Sequence, residues 1–419
     1  MNEKEEITKK AEYCLGCKVK MCQKGCPLGN DITEFIRFVK EEKYKEAYEV
    51  LSNTTILPPI CGRICPHKSQ CEGSCVRGIK GESVSIGDLE SYIGDLAIKN
   101  NYEISKFTND IKNKKIAVIG GGPAGLSCAA HLARNGYNVT IYEKYDKLGG
   151  ILRHGIPDFR LDKNVLDKQI EKILKLGIET KYNQILGKNI TIQELENEYD
   201  AIFISIGANI SSKMGIDGEE LEGVYGGNEL LESGKHPDYT GKTVSVIGGG
   251  NVAMDTARTI KKLGAKNVKV IYRRAEEQMP AENKEIKDAK SEGIEFLFQN
   301  NIIKVIGNKK VEKIECIKTE LVKKEGETRE VPIDIEGSNY IMDVDYVVMA
   351  VGSKPEKSVI ENLELKLTKK GNIEIDENHM TSKEKIFAGG DLSGEKATVA
   401  WASKSGRDAA DGIMRFLEK

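Results

Sequence analysis

The sequence lacks an excess of either charge: 63 Lys and Arg stand against 65 Asp and Glu, a formal net charge of -2. Affinity for a phosphate backbone rests on surplus Lys and Arg, so this balance argues against a nucleic-acid partner. Long apolar runs are also missing. No stretch approaches the roughly 18 apolar residues of a membrane span, and the opening MNEKEEITKK has no apolar signal core, so no membrane is expected and the expected compartment is the cytoplasm. Histidine is scarce, at 5 residues, and no His forms a credible catalytic set with a nucleophile. We therefore expect no general acid or base, a structural His154 and a surface His67. Cysteine is nearly absent beyond residue 75, where only Cys128 and Cys316 occur.

What is present is a globular composition, 39% hydrophobic and 31% charged over 419 residues. This is enough for two or three domains with real cores. Of the 10 cysteines, eight fall within the first 75 residues: Cys14, Cys17, Cys22, Cys26, Cys61, Cys65, Cys71 and Cys75. A long chain without a signal segment makes metal binding a better reading than a disulfide framework. CLGCKVKMCQKGCP is a CxxCx₄CxxxCP run, whose close thiolates and closing Cys-Pro suit an iron–sulfur cluster. Zinc is the competitor, but zinc sites close at four ligands and often recruit His, which this block lacks.

Between the cysteine blocks, Asp31 is placed to cap a helix carrying Ile32, Phe35, Ile36 and Val39. The second block, PPICGRICPHKSQCEGSC, reads as loop-rich because of Pro58, Pro59 and Pro66. After it, Ser85 is expected to cap a helix with Ile86, Leu89, Ile93 and Leu96 on one face. Glu90 borders that face, and periodicity alone favours an edge salt bridge over a ligand there. Residues 100–115 read as a linker.

Then comes IAVIGGGPAG. The apolar strand Ile116–Ile119 runs into Gly120, Gly122 and Gly125, and a helix opens behind them. Gly120 suits the tight turn, Gly122 close approach to a pyrophosphate, and Gly125 close packing of helix on strand. The phosphates belong on the unpaired N–H groups at the start of that helix, which opens with Pro123 and Ala124. A second strand, Val139–Tyr142, ends in Glu143, where a ribose hydroxyl needs an acceptor. Gly149, Gly150, Arg153, Gly155 and Pro157 follow in a tight loop that a flat ring could approach. The strand beginning at Ala201 closes this unit at Gly207.

The pattern repeats: strand Thr243–Ile247, the turn Gly248, Gly250, Ala253 with Asn251 opening the helix, and strand Val268–Tyr272. This strand ends in Arg273 and Arg274, whose guanidinium groups suit the 2′-phosphate of NADP. Phe296 to Val348 alternates apolar and polar residues and reads as strand, with a charged loop KKEGETRE at its tip. A strand from Tyr346 leads to Gly352. Finally IFAGGD places Gly390 and Asp391 at a strand end before a helix near Thr398, and this element is expected to return to the first nucleotide domain.

Together these motifs resemble the small subunit of NADPH-dependent glutamate synthase. Its relatives include the N-terminal half of dihydropyrimidine dehydrogenase and the large subunit of ferredoxin-dependent NADP transhydrogenases. The resemblance runs from Cys14 to GRDAADGI near the end and also rests on CPHKSQCEGSC, GGILRHGIPDFRL, GGGNVAMD and YRRAEEQMPA. It implies an α/β chain of two Rossmann-like domains preceded by a helical double-cluster iron–sulfur domain. The expected boundaries are 1–111 for iron–sulfur domain and linker, 112–212 with 353–419 for FAD, and 213–352 for NADPH.

The resemblance further implies FAD at Gly120, Gly122, Gly125, Glu143 and Asp391, and NADPH at Gly248, Gly250, Ala253, Arg273 and Arg274. Pro123, Ala124, Gly150, Arg153, Gly207, Asn251, Gly352, Gly390 and Thr398 complete the expected cofactor contacts. It implies two 4Fe–4S clusters, one on Cys14, Cys17, Cys22 and Cys75, the other on Cys26, Cys65, Cys71 and a Glu or Gln that falls on Glu90. Simple counting would use Cys61 instead. The implied activity is electron entry from NADPH through FAD and the clusters to a larger catalytic subunit, of glutamate synthase type or another flavin- or FMN-containing kind. A self-contained NADPH oxidoreductase and a non-catalytic zinc-binding assembly protein are the alternatives.

Overall fold

A computed structural model describes residues 3–323 and 330–419. The chain forms two compact units, one running to residue 153 and taking in 158–208 and 355–419, the other made of 154–157 and 209–354. Of the charged loop KKEGETRE, residues 324–329 lie outside the described residues. Among the described residues no helix is long and apolar enough to cross a membrane.

The first unit opens with a helical layer of α1 (Glu3–Glu12), α2 (Met21–Gly25), α3 (Ile32–Lys40), α4 (Tyr44–Ser52), α5 (Pro58–Ile64) and α6 (Ile86–Lys99). Asp31 caps α3, its carboxylate accepting the Glu34 N–H at 3.3 Å. Behind that cap Ile32, Phe35, Ile36 and Val39 are buried.

Three expectations are corrected here. The segment read as loop-rich is helical: Pro58 and Pro59 occupy the first turn of α5, where a missing N–H costs nothing and the ring presets φ. Ser85 precedes α6 but makes no side-chain cap bond; the Gly87 N–H instead reaches the Glu72 carboxylate at 3.0 Å. His67 is not a surface residue. Its ring packs so tightly on Gly87 that a Cβ there would meet Cε1 at 2.6 Å.

The nucleotide folds follow in chain order. In the first unit come β1 (Lys115–Ile119), α7 (Pro123–Arg134), β2 (Asn138–Tyr142), the one-turn α8 (Ile151–His154), α9 (Lys163–Leu174), β3 (Glu179–Lys181), α10 (Ile192–Glu198) and β4 (Ala201–Ile204). The second unit carries β5 (Ile210–Ser211), β6 (Val224–Gly226), α11 (Gly227–Ser233), β7 (Thr243–Ile247), α12 (Asn251–Lys262), β8 (Asn267–Tyr272), α13 (Asn283–Ser291) and β9 (Glu295–Phe298). It continues through β10 (Asn300–Gly307), β11 (Val311–Val322), β12 (Val331–Asp334), β13 (Tyr340–Asp343), β14 (Tyr346–Met349) and β15 (Ser353–Lys354). The chain then re-enters the first unit with α14 (Lys357–Asn362), β16 (Ile386–Ala388) and α15 (Val399–Leu417).

Each unit holds a parallel five-stranded sheet, ordered β16-β4-β1-β2-β3 in the first and β6-β14-β7-β8-β9 in the second. Such sheets are covered on both faces, which is why Ile116 to Ile119 are all buried and read as a continuous apolar run. The late strand does return to the first sheet: β16 pairs with β4 in the register Ile386↔Ile202 to Ala388↔Ile204. β10 to β13 form a separate antiparallel sheet, within the span that the alternating pattern marked as mainly strand.

The return fixes α15 against α7. A Cβ at Gly406 would lie 2.0 Å from the Ala124 carbonyl oxygen, so only glycine lets the two backbones approach this closely. The start of α7 is thereby packed against the second turn of α15.

Candidate functional site

The cysteines gather into two sets. Cys14, Cys17, Cys22 and Cys75 line one cavity, backed by Ile32, Ile36 and Ile86. The second set is Cys26, Cys65 and Cys71, each an electrostatic neighbour of Glu90. One turn of chain switches between them: Cys22 and Cys26 are joined by Cys26 N–H to Cys22 O at 3.1 Å. Cys71 and Cys75 are also four apart, so each cysteine-rich segment feeds both sites.

Glu90 is not at an edge. It is 5% exposed, makes no ion pair among the described residues, and accepts one hydrogen bond, from Asn30 Nδ2 at 3.3 Å. Burial pushes its carboxyl well above the usual range. Burial likewise raises Cys22 and Cys26, each to about 11. Cys65 is raised by its hydrogen bond with Cys61 and by burial, and Cys71 by burial and the neighbouring Glu90. A set of buried would-be anions without an internal counter-charge suits a bound polycationic iron–sulfur core, whose charge would hold the ligands deprotonated.

The first glycine turn is shaped by close approach. Gly120 adopts φ +101°, and a Cβ there would lie 2.6 Å from Ser205 O; a Cβ on Gly125 would lie 1.9 Å from Gly120 O. Gly122 is different, because its nearest neighbour is the Gly150 Cα at 3.9 Å from a built Cβ. The Gly122 and Gly150 backbones thus form a cradle without side chains at the start of α7, fit for a pyrophosphate. Pro123 and Ala124 open that helix. Glu143, 3% exposed, accepts the Gly121 N–H at 2.8 Å and the Tyr145 N–H at 3.1 Å.

Arg153 donates to Leu148 O at 2.6 Å and pairs with Asp167, so it braces the loop through Gly150. Gly207 turns the chain beyond β4 with φ +73°. Asp391 lies not on the strand but in the 3₁₀ turn Gly390–Ser393 behind it, and the Gly390 N–H is fixed by Ser405 Oγ at 2.9 Å. Thr398 caps α15 through its hydroxyl.

In the second unit Gly248 adopts φ +140°, with Ala350 O only 2.2 Å from a built Cβ, while Gly250 is open. Gly352 turns at φ +127°. Asn251 Oδ1 accepts the Glu282 N–H at 3.0 Å, and Ala281 N–H reaches Gly249 O at 3.1 Å. Residues 273–282 therefore fold back over the start of α12, where Ala253 is fully buried. Arg273 is exposed and Arg274 half-buried. Neither forms an ion pair among the described residues, and Arg274 Nε is buried without a hydrogen-bond partner, the state expected of a donor reserved for an anion.

Sequence reasoning missed the links between the helical layer and the first nucleotide fold. Gln70 Nε2 meets Thr398 Oγ1 at 3.4 Å, Arg407 donates to Leu28 O at 2.9 Å, Gln169 to Ile56 O at 2.6 Å, and Arg134 to Ser52 O at 2.6 Å. Gln70 adjoins Cys71, so the second thiol set lies next to the cap of α15.

Residues 114–406 match the family described as pyridine nucleotide-disulphide oxidoreductase, and residues 1–102 match dihydropyrimidine dehydrogenase domain II, 4Fe-4S cluster. The chain is 37% identical to the glutamate synthase (NADPH) small chain of Escherichia coli, over 97% of this chain and 91% of that protein. It is 35% identical to the corresponding small chain of Halomonas elongata, over 99% and 91%. A structure of FprA from Mycobacterium tuberculosis, 21% identical, covers 73% of this chain and 85% of its own with a TM-score of 0.66, a likeness of fold.

Asp391 gives a pH prediction. Burial, then the neighbouring Glu395, raises its carboxyl from 3.8 to about 6. Below about pH 4 both folded and unfolded states are protonated and no penalty arises. Above about 6 both are ionised and the folded state bears the cost of burial, so stability falls as pH rises through this window. In flavin-depleted protein, Asp391→Asn should melt at a higher temperature than the parent above pH 6, the gap closing by about pH 4. A gap independent of pH would refute the assignment.

Proposed function

The chain belongs to the family of NADPH-dependent glutamate synthase small chains, and on that premise we propose that it is the electron-entry subunit of a larger oxidoreductase. It is an FAD-dependent NADPH oxidoreductase with a 4Fe–4S domain. The reading of its route is carried by one observation: the thiol layer and the first nucleotide fold belong to the same compact unit, linked at Gln70 and Thr398.

When bound, FAD accepts two electrons from NADPH and releases them singly, and iron–sulfur clusters accept them one at a time. The protein's own residues hold and orient. The cradle of Gly122 and Gly150 and the N–H groups of α7 receive the pyrophosphate. Glu143 accepts a ribose hydroxyl, and Asp391 with the start of α15 faces the remaining polar groups of FAD. Gly248, Gly250 and the start of α12 take the NADPH pyrophosphate. Arg273 and Arg274 take its 2′-phosphate. No side-chain acid or base is required, because orientation, not proton transfer, governs hydride exchange between rings. Cys14, Cys17, Cys22 and Cys75 ligate one cluster, and Cys26, Cys65, Cys71 and Glu90 the other.

The partner is a larger catalytic chain of glutamate synthase type. Support for its docking face comes from the first thiol cavity, which Leu15, Met21 and Val76 line while 57, 42 and 39% exposed, and from Val19 and Ile79, close to them in sequence and 62 and 77% exposed. Apolar side chains clustered in this way mark an association surface.

Replacing Arg273 and Arg274 together by Ala should raise KM for NADPH at least tenfold and KM for NADH less than about twofold, as loss of charge-assisted phosphate contacts requires. Equal rises would remove the phosphate argument. Val19→Asp with Ile79→Asp should leave NADPH-driven dye reduction within about twofold while weakening binding to a glutamate synthase large chain at least tenfold. Unchanged binding would remove the face, and no binding by the parent chain would remove the partner.

A further inference from the structure

One side chain reaches the buried carboxylate of Glu90. Asn30 Nδ2 donates to its Oε1 at 3.3 Å, and among the described residues Oε2 accepts no hydrogen bond. Asn30 is itself 2% exposed and lies four residues beyond Cys26. A turn closed by the Gly29 N–H on Cys26 O at 3.0 Å, with Gly29 at φ +71°, swings the chain back between them. The Asn30 carbonyl then accepts the Ile32 N–H at 2.8 Å as α3 begins. The turn that follows one thiol of the second set therefore also delivers the donor to Glu90.

Thr54 orients the amide. Its Oγ1 lies 2.5 Å from Asn30 Oδ1. An amide N–H donor keeps about 2.7–3.2 Å from an oxygen, whereas a hydroxyl donor closes to about 2.5 Å, so Thr54 is the donor here and the amide oxygen the acceptor. Nδ2 is thereby turned to Glu90, and both ends of the buried amide are engaged. Arg407 ties down both carriers. From α15 its Nη1 donates to Leu28 O at 2.9 Å and to Thr54 O at 3.5 Å, drawing the Cys26 turn and the segment behind α4 together. A buried Asn that only joined two helices would be served by any acceptor, but this one meets a carboxylate with no other support, beside three thiols.

Resting on the reading that Cys26, Cys65, Cys71 and Glu90 hold a cluster, we propose that Asn30 is a positioning residue: oriented by the Thr54 hydroxyl, it holds one carboxylate oxygen of Glu90 and leaves the other for iron. A ligand fixed in advance loses less freedom on binding, and partners behind the ligands govern how firmly a metal is kept.

The test is release of iron from the holoprotein to excess chelator, with the reduced clusters followed by EPR. In Asn30→Leu, which keeps every proposed ligand, about half the iron should leave about tenfold faster than in the parent, the other half unchanged and one of two EPR signals altered. Thr54→Val should act in the same direction by less, and Thr54→Ser, which keeps the hydroxyl, should release iron as the parent does. Unchanged release in both Asn30→Leu and Thr54→Val would overturn the proposal, and so would equal acceleration of all the iron, the mark of a general loosening. In a Glu90→Ala background Asn30→Leu should add nothing; an undiminished further effect would mean that Asn30 does not act through Glu90 and would overturn the proposal as well. Glu90→Ala alone separates the underlying reading, for a variant that holds all its iron as firmly as the parent would refute the ligand set itself.

Discussion

The structure depends on a set of buried polar links that hold the helical layer to the first nucleotide fold. Arg134 is 2% exposed and donates to the carbonyls of Ser52 and Ser105, its Nη2 left without a partner, with its guanidinium 3.8 Å over the Phe107 ring. Lys172 donates to Ala97 O at 2.9 Å and lies 4.6 Å over Tyr48. Burial lowers Arg134 to about 10 and Lys172 to about 8, so both cations are held at a cost that their acceptors offset. Detaching the layer would strand each donor, at about 1–3 kcal/mol apiece. The layer cannot drift from the flavin fold without breaking several of these bonds together, and fixed spacing is what electron passage between centres requires.

The two nucleotide folds share a glycine turn and differ at the end of the second strand. Behind β2 a buried carboxylate, Glu143, is braced by two N–H groups, as the proposed ribose contact requires. Behind β8 a half-buried guanidinium has an unpartnered Nε, as the proposed phosphate contact requires. The same backbone device thus holds two cofactors, and a few side chains at strand ends separate them.

Much of this was legible in the sequence because glycine positions are dictated by sterics. Gly120, Gly125 and Gly248 each stand where a Cβ would collide with a carbonyl, and their spacing announces the turn. The apolar runs of β1 and β16 were equally plain, since a parallel strand is buried on both faces. Other features were hidden. The prolines of α5 read as loop because a proline pair marks either a break or a first turn, and only the fold distinguishes them. Glu90 read as an edge residue because helical periodicity reports a face, not its depth. Arg134, Gln169, Lys172 and Arg407 gave no signal in the sequence, for their acceptors are main-chain carbonyls that carry no residue signature.

The central claim is that one chain stores electrons on a flavin and two single-electron centres in a fixed array. It is tested most directly by photochemical reductive titration under anaerobic conditions, with a deazaflavin sensitiser and the flavin band and cluster EPR signals followed together. The account predicts about four electrons per chain, two bleaching the flavin and one appearing at each cluster. Uptake of about two electrons, with flavin bleaching and no cluster signal, would contradict it.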